Sequence, residues 1–205
     1  MKISPRKRFY HGSPVKIIQF SVEFTNKGHD ALGPGFYFTD SIEDALLYTG
    51  EEKQNPMSGL EIAPTVHTVL LDVQKPLVKD LEGMLTAEQI KAILRHLPDQ
   101  ALADGLWDHG DIGAYGIDKV LNAAAKSYSG HVTLSRRLWD LANDFFDDHV
   151  DVFNRAVRSV LGYDAVTVRQ PTGVTHVCAW FPEQVKIIKH TPAKDVSPDD
   201  GLTPG

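Results

Sequence analysis

The chain has 205 residues, 42% hydrophobic and 23% charged, so it is long and apolar enough to bury a core of its own as one domain. Its net charge of −6 argues against a nucleic-acid partner, because affinity for phosphate backbones comes mainly from Lys and Arg. Cys178 is the lone cysteine and sits in an apolar run, which reads as a buried reduced thiol and fits a cytoplasmic setting.

Met1 to Arg8 carries four basic residues but leads into His11, Gly12 and Pro14 instead of the apolar run of a signal peptide. No stretch is apolar enough for a membrane span. From about Phe9 to Lys79 the pattern is strands and turns. Arg8 to Tyr10 begins a short strand that is expected to end at His11-Gly12-Ser13-Pro14. Gly33-Pro34-Gly35 then leads into the strand Phe36-Tyr37-Phe38-Thr39. Asp40 or Ser41 can cap a short helix with Glu43 and Asp44 in its first turn and Ala45 and Tyr48 on its inner face. Thr65 to Val73 alternates as a strand and stops at Lys75-Pro76.

The middle, about 81 to 162, reads as helical. Thr86 and Gln89 have capping-box spacing, and Ile90, Ile93, Leu94 and Leu97 follow on one face until Pro98. A second helix carries Ile117, Val120, Leu121 and Ala124. The longest is expected over Leu134 to Leu161, with Trp139, Phe145, Phe146 and Phe153 as packing residues. Asp144, Asp147, Asp148 and Asp151 lack the glycine turn of a calcium loop and read as a solvated face. Ala165 to Arg169, Val174 to Trp180 and Val185 to Lys189 then return to strands, broken at Gln170–Gly173 and Pro182–Gln184. The proline-rich residues 191–205 are expected to form a disordered tail.

Two segments concentrate the chemistry. In His11-Gly12-Ser13 a glycine at a strand end lets backbone N–H and C=O approach a ligand, a donor and acceptor pair suited to a carboxamide. Tyr37 beside a glycine turn and Tyr48 one short helix later could hold a flat ring between their faces. The nine histidines show no zinc spacing, so no metal site is expected.

Together, YHGS followed by GPGFYFTDSIEDALLY resembles the ADP-ribosyltransferase fold of the diphtheria-toxin and poly(ADP-ribose) polymerase type, and is similar to modules of that fold in large phage and mobile-element proteins. The resemblance extends to VLLDVQKPLV and to GYDAVTV and THVCAWFPEQVKII. It implies an α+β domain over 1–190, with split β-sheets around an NAD cleft and a helical insertion at about 81–162. His11 would bind the adenosine-side ribose, the Gly12 backbone beside Ser13 would hold the nicotinamide carboxamide, and Tyr37 and Tyr48 would stack on the pyridine ring.

Two positions depart from that pattern. The late strand carries His176 where the family usually has a glutamate, and Ala45 replaces the serine of polymerase-type members. A neutral imidazole brings no negative charge to an oxocarbenium-like centre. Transfer of a single ADP-ribose unit from NAD to a protein is therefore expected over chain elongation, in a toxin, effector or phage counter-defence factor. The alternative is a module that binds NAD, ADP-ribose or a partner without transfer. Glu183, Asp164, Glu43 and Asp44 each read as turn, cap or helix-end residues and not as the missing acid. His11, Tyr37 and His176 are the expected catalytic residues.

Overall fold

The structure is a computed structural model that describes residues 3–22, 32–50, 61–79 and 83–197. Seven strands form one sheet in the order β4-β5-β6-β2-β1-β3-β7. They are β1 (Arg8–Val15), β2 (Phe36–Thr39), β3 (Ile62–Leu71), β4 (Pro76–Val78), β5 (Ala165–Arg169), β6 (Thr175–Ala179) and β7 (Val185–Pro192). Among the described residues, only the β4–β5 pairing is parallel. Parallel neighbours need a crossover, and here the crossover is the whole helical region. It contains α2 (Ala87–Leu94), α3 (Asp99–Gly105), α4 (Ile112–Tyr115), α5 (Ile117–Tyr128), α6 (Leu134–Phe145) and α7 (Val150–Leu161), while α1 (Ile42–Leu46) follows β2.

The sheet is two blocks joined at one point. β1 pairs with β3 over seven positions, and β2 pairs with β6 over four. Between β1 and β2 a single pair remains, Tyr10 with Thr39. This is the split sheet of the α+β fold that the sequence implies. Helices cover one face, where Leu77, Val166 and Cys178 meet Ile90, Leu121, Leu141 and Phe153 in the largest core. The opposite face buries Phe9, Phe20, Phe36, Phe38, Val69 and Val177. A third cluster of Tyr10, Ile42, Ala45 and Val66 seats α1 on β1 and β3.

Several boundaries differ from expectation for identifiable reasons. β1 does not stop at His11: it runs to Val15 because β3 continues beside it, and the register shift between Ser13 and Val15 accommodates Pro14, which has no N–H to give. The long helix is two, α6 and α7. Phe145 and Phe146 are both buried, and one straight helix turns consecutive residues about 100° apart, so a break at Phe146 lets both rings enter the core. Strand β7 extends to Pro192 as a polar edge, followed by a 3-10 turn at Ala193–Asp195. Thr191 and Pro192, expected at the start of the tail, thus pair with Val66 and Thr65 of β3; residues 198–205, and Leu81 at the expected start of the insertion, lie outside the described residues. Among the described residues, no helix is long and apolar enough to cross a membrane.

Candidate active site at the split between the strands

One row of residues crosses the junction of the two blocks: Thr68, Tyr10, Thr39, His176 and Val168, on β3, β1, β2, β6 and β5. One row further on, β1 and β2 no longer pair. The side chain of His11 spans that opening, its Nδ1 lying 2.7 Å from the carbonyl oxygen of Tyr37. A carbonyl can only accept, so Nδ1 carries the proton. Burial pushes the His11 imidazole below its ordinary pKa, against the opposing pull of that hydrogen bond, which makes it neutral near pH 7. Its Nε2 therefore offers a lone pair, the group needed to accept from a hydroxyl.

His11 is held from behind by a residue that sequence reasoning did not single out. His67 lies directly opposite on β3 and is fully buried. Its Nε2 accepts from the Ile17 N–H at 2.8 Å, and its Nδ1–H donates to the His11 carbonyl at 3.2 Å. Burial, reinforced by the nearby charges of His11, His190 and Lys16, lowers its pKa to about 4 although its bond to the His11 carbonyl pulls the other way. His67 is thus a neutral histidine of fixed tautomer. The His11 ring itself sits against Phe20 and Phe38, with centroids 5.2 and 5.7 Å away.

Gly12 is a glycine for a specific steric reason. A Cβ there would stand 1.8 Å from the carbonyl oxygen of Ala45, so its missing side chain is what lets α1 lie on β1. Ser13 is buried, and its Oγ accepts from the Val15 N–H at 3.2 Å, within the same strand. Gly35 likewise allows the turn before β2 to press on β6, where a Cβ would meet the Ala179 carbonyl and Cys178 Sγ at 2.6 Å each.

Tyr37 is half-buried, and its hydroxyl is tied into that turn. It donates to the Gly33 carbonyl at 2.6 Å and accepts from the Leu32 N–H at 3.0 Å. Its ring leaves the sheet toward the helical core, whereas the His11 ring lies among the aromatics of the other face. The two residues are therefore neighbours across the split, joined through the Tyr37 backbone. Tyr48 follows α1 and is 49% exposed, so it does not belong to that helix's buried face.

The end of β2 is fastened to β6 by Asp40. Its Oδ1 accepts from the Thr175 N–H at 2.7 Å, its own N–H donates to the Thr175 carbonyl at 3.1 Å, and Lys7 Nζ reaches Oδ2 at 2.6 Å. Burial alone would raise the carboxyl's pKa, but Lys7 and the Thr175 bonds together hold it below the ordinary range. The helix cap is consequently Ser41, whose Oγ accepts from the Asp44 N–H at 3.1 Å.

His176 sits on β6 beside Thr39, and α1 brings an acid to it: Nε2 lies 2.8 Å from Asp44 Oδ2. On the other side of the ring, the Gln170 amide nitrogen stands 3.5 Å from Nδ1. The sequence gives Asp44 only as a helix first-turn charge; its contact with a residue 132 positions away has no local signal. Asp164 is buried and accepts from the Gln74 and Lys75 N–H groups at 2.8 and 2.9 Å, while Glu183 is exposed in the turn before β7. Among the described residues, no group of three His, Cys, Asp or Glu side chains is arranged to hold a metal ion.

A sequence model of the family described as ADP-ribosyltransferase in polyvalent proteins matches residues 5–194. No curated protein and no solved structure matches the chain. The match takes in every described strand and helix, including the crossover that carried no motif, and the chain belongs to this ADP-ribosyltransferase family.

Proposed function

We propose that the protein transfers a single ADP-ribose unit from NAD to a protein acceptor. The observation that carries this reading is the opening between β1 and β2, spanned by a neutral His11 whose Nδ1 is bound to Tyr37 and whose Nε2 has a lone pair to offer. In this reading Nε2 accepts from a hydroxyl of the adenosine-side ribose. The Gly12 backbone beside Ser13 holds the nicotinamide carboxamide, and with alanine at position 45 no side-chain hydroxyl assists it. Tyr37 and Tyr48 take the faces of the pyridine ring. Backbone, stacking and hydroxyl contacts recognise the dinucleotide, which suits a chain of net charge −6.

His176 lies near the ribose C1′ in this arrangement. Departure of nicotinamide leaves positive charge at that carbon, and groups arranged in advance around it lower the barrier. A role as a toxin, effector or phage counter-defence factor belongs to the same reading and rests on the resemblance alone. The test is incubation of the chain with labelled NAD and cell lysate. Label on protein together with released nicotinamide supports transfer; NAD binding with no turnover would assign the protein instead to the binding modules of this fold.

A further inference from the structure

We propose that Asp44 supplies, through its hydrogen bond to His176, the negative charge that a glutamate on β6 would otherwise bring, so that the two side chains act as one unit in splitting NAD. The inference rests on the functional reading above and assigns a positioning role to an α1 residue. Asp44 Oδ2 and His176 Nε2 are 2.8 Å apart, and the two side chains are only 25% and 23% exposed, so solvent screens the pair incompletely.

The neighbouring acids have other work. Both oxygens of Asp40 are engaged by Thr175 and Lys7, Asp164 caps Gln74 and Lys75, and Glu43 accepts from the Ser41 hydroxyl at 2.9 Å. Asp44 is the acid whose carboxylate is committed to a site residue. Its position is fixed: its N–H donates to the Ser41 cap, and Gly12 seats its helix against β1.

The charge balance follows from these contacts. A carboxylate only accepts, so His176 Nε2 carries a proton; in the neutral ring Nδ1 then has the lone pair. With the ring neutral, the pair carries one negative charge next to the row where the two sheet blocks meet. If the ring gains a proton the pair becomes neutral, so an imidazolium here does not oppose a cationic centre as an isolated one would. In the reaction the bond from ribose C1′ to the pyridinium nitrogen breaks, and its electron pair stays on nitrogen to give neutral nicotinamide. An acceptor hydroxyl, or water, forms the new C1′–O bond, and its proton passes to Nδ1 and then to solvent. The Gln170 amide, 3.5 Å from Nδ1, is a weak enough partner to yield that position.

The pair also predicts how a restored glutamate behaves. Glutamate at 176 would face Asp44 across hydrogen-bond distance, and two carboxylates so placed repel. Any gain in NAD cleavage from His176→Glu should therefore emerge only when Asp44 is neutralised.

The experiment measures nicotinamide release and NAD affinity on the full chain for the parent, Asp44→Asn, Asp44→Glu and the double variant Asp44→Asn with His176→Glu. Asp44→Asn should lower kcat about a hundredfold, the scale of a lost acid–base or electrostatic group, with KM for NAD changed less than about threefold. Asp44→Glu and the double variant should each recover part of the loss. The carboxylate rescue separates a charge requirement from a merely structural one, and the double variant stays informative if asparagine alone disturbs α1. A parent that splits NAD while Asp44→Asn keeps kcat within about twofold overturns this inference and leaves the functional reading standing. So does an Asp44→Asn loss that neither carboxylate variant recovers. A parent that binds no NAD overturns both.

Discussion

Lowering the pH should weaken the fold through His67, and the size of the effect can be worked out. The folded protein holds this imidazole at about 4, against an ordinary value of 6.5, because burial and the neighbouring His11, His190 and Lys16 outweigh the opposing pull of its bond to the His11 carbonyl. Above pH 6.5 neither the folded nor the unfolded chain binds a proton at this position, and the stability is intact. As the pH falls from 6.5 towards 4 the unfolded chain takes up a proton that the folded chain refuses, so stability is lost across this window; below about 4 both forms are protonated and the loss stops. Each tenfold difference in proton affinity is worth about 1.4 kcal/mol, so the full loss is about 3 kcal/mol, most of it reached by about pH 4.5. That is a large share of the roughly 5–15 kcal/mol that stabilises an ordinary domain. The assay is urea unfolding at several values between about pH 7.5 and 4.5, on the parent and on His67→Gln, whose amide oxygen can still accept from Ile17. The parent should lose roughly 2 to 3 kcal/mol more over this range than the variant. Parallel slopes for the two proteins would refute the argument, since the pH dependence would then come from other groups.

Tyr37→Ala should abolish NAD binding, and unchanged affinity in a titration would remove Tyr37 from the proposed site; Tyr37→Phe should cost about 1 to 2 kcal/mol in thermal unfolding, because the Leu32 N–H and Gly33 carbonyl lose their partner. Asp40→Ala should destabilise by roughly 1 to 3 kcal/mol and speed hydrogen exchange at the Thr175 amide, whereas an unaltered exchange rate there would show that the β2–β6 end is held without Asp40. Gly12→Ala puts a methyl 1.8 Å from a backbone oxygen that cannot rotate away, so α1 must move; a loss of about 1 to 3 kcal/mol in unfolding free energy and of NAD affinity is expected, and a variant with parental affinity would show that the seating of α1 does not matter to the site.

What the sequence made legible was local. The Thr86–Gln89 capping box forms as its spacing predicts, with Thr86 Oγ1 accepting from Gln89 N–H and Gln89 Oε1 accepting from Thr86 N–H. The strand after Gly33-Pro34-Gly35 and the strands at Ala165 and Thr175 are equally plain, because β-branched and aromatic runs between turn residues need little context. Boundaries failed where a neighbour set them: β3 extends β1 past its glycine, β3 also carries β7 past Lys189, and the crossover core breaks α6 from α7. Short β4, three residues beginning with a proline, is a strand only because β5 lies beside it.

The site divides in the same way, and α1 shows why. Its five residues make a helix too short to persist by its own hydrogen bonds, so its position is decided by what it touches. The Ser41 cap was visible in the sequence. The absent Cβ of Gly12 under Ala45 was not, because a glycine at a strand end carries no sign of which distant backbone will lie against it. Nor was the reach of Asp44 to His176, which requires knowing that β6 lies next to β2, the strand that α1 follows. A histidine at the expected place of an acid looks like a lost function when the strand is read alone. Once the strand order sets β6 beside β2 and Asp44 reaches across from α1, the same histidine has a carboxylate on one nitrogen, and the question shifts from whether the charge is absent to which residue carries it.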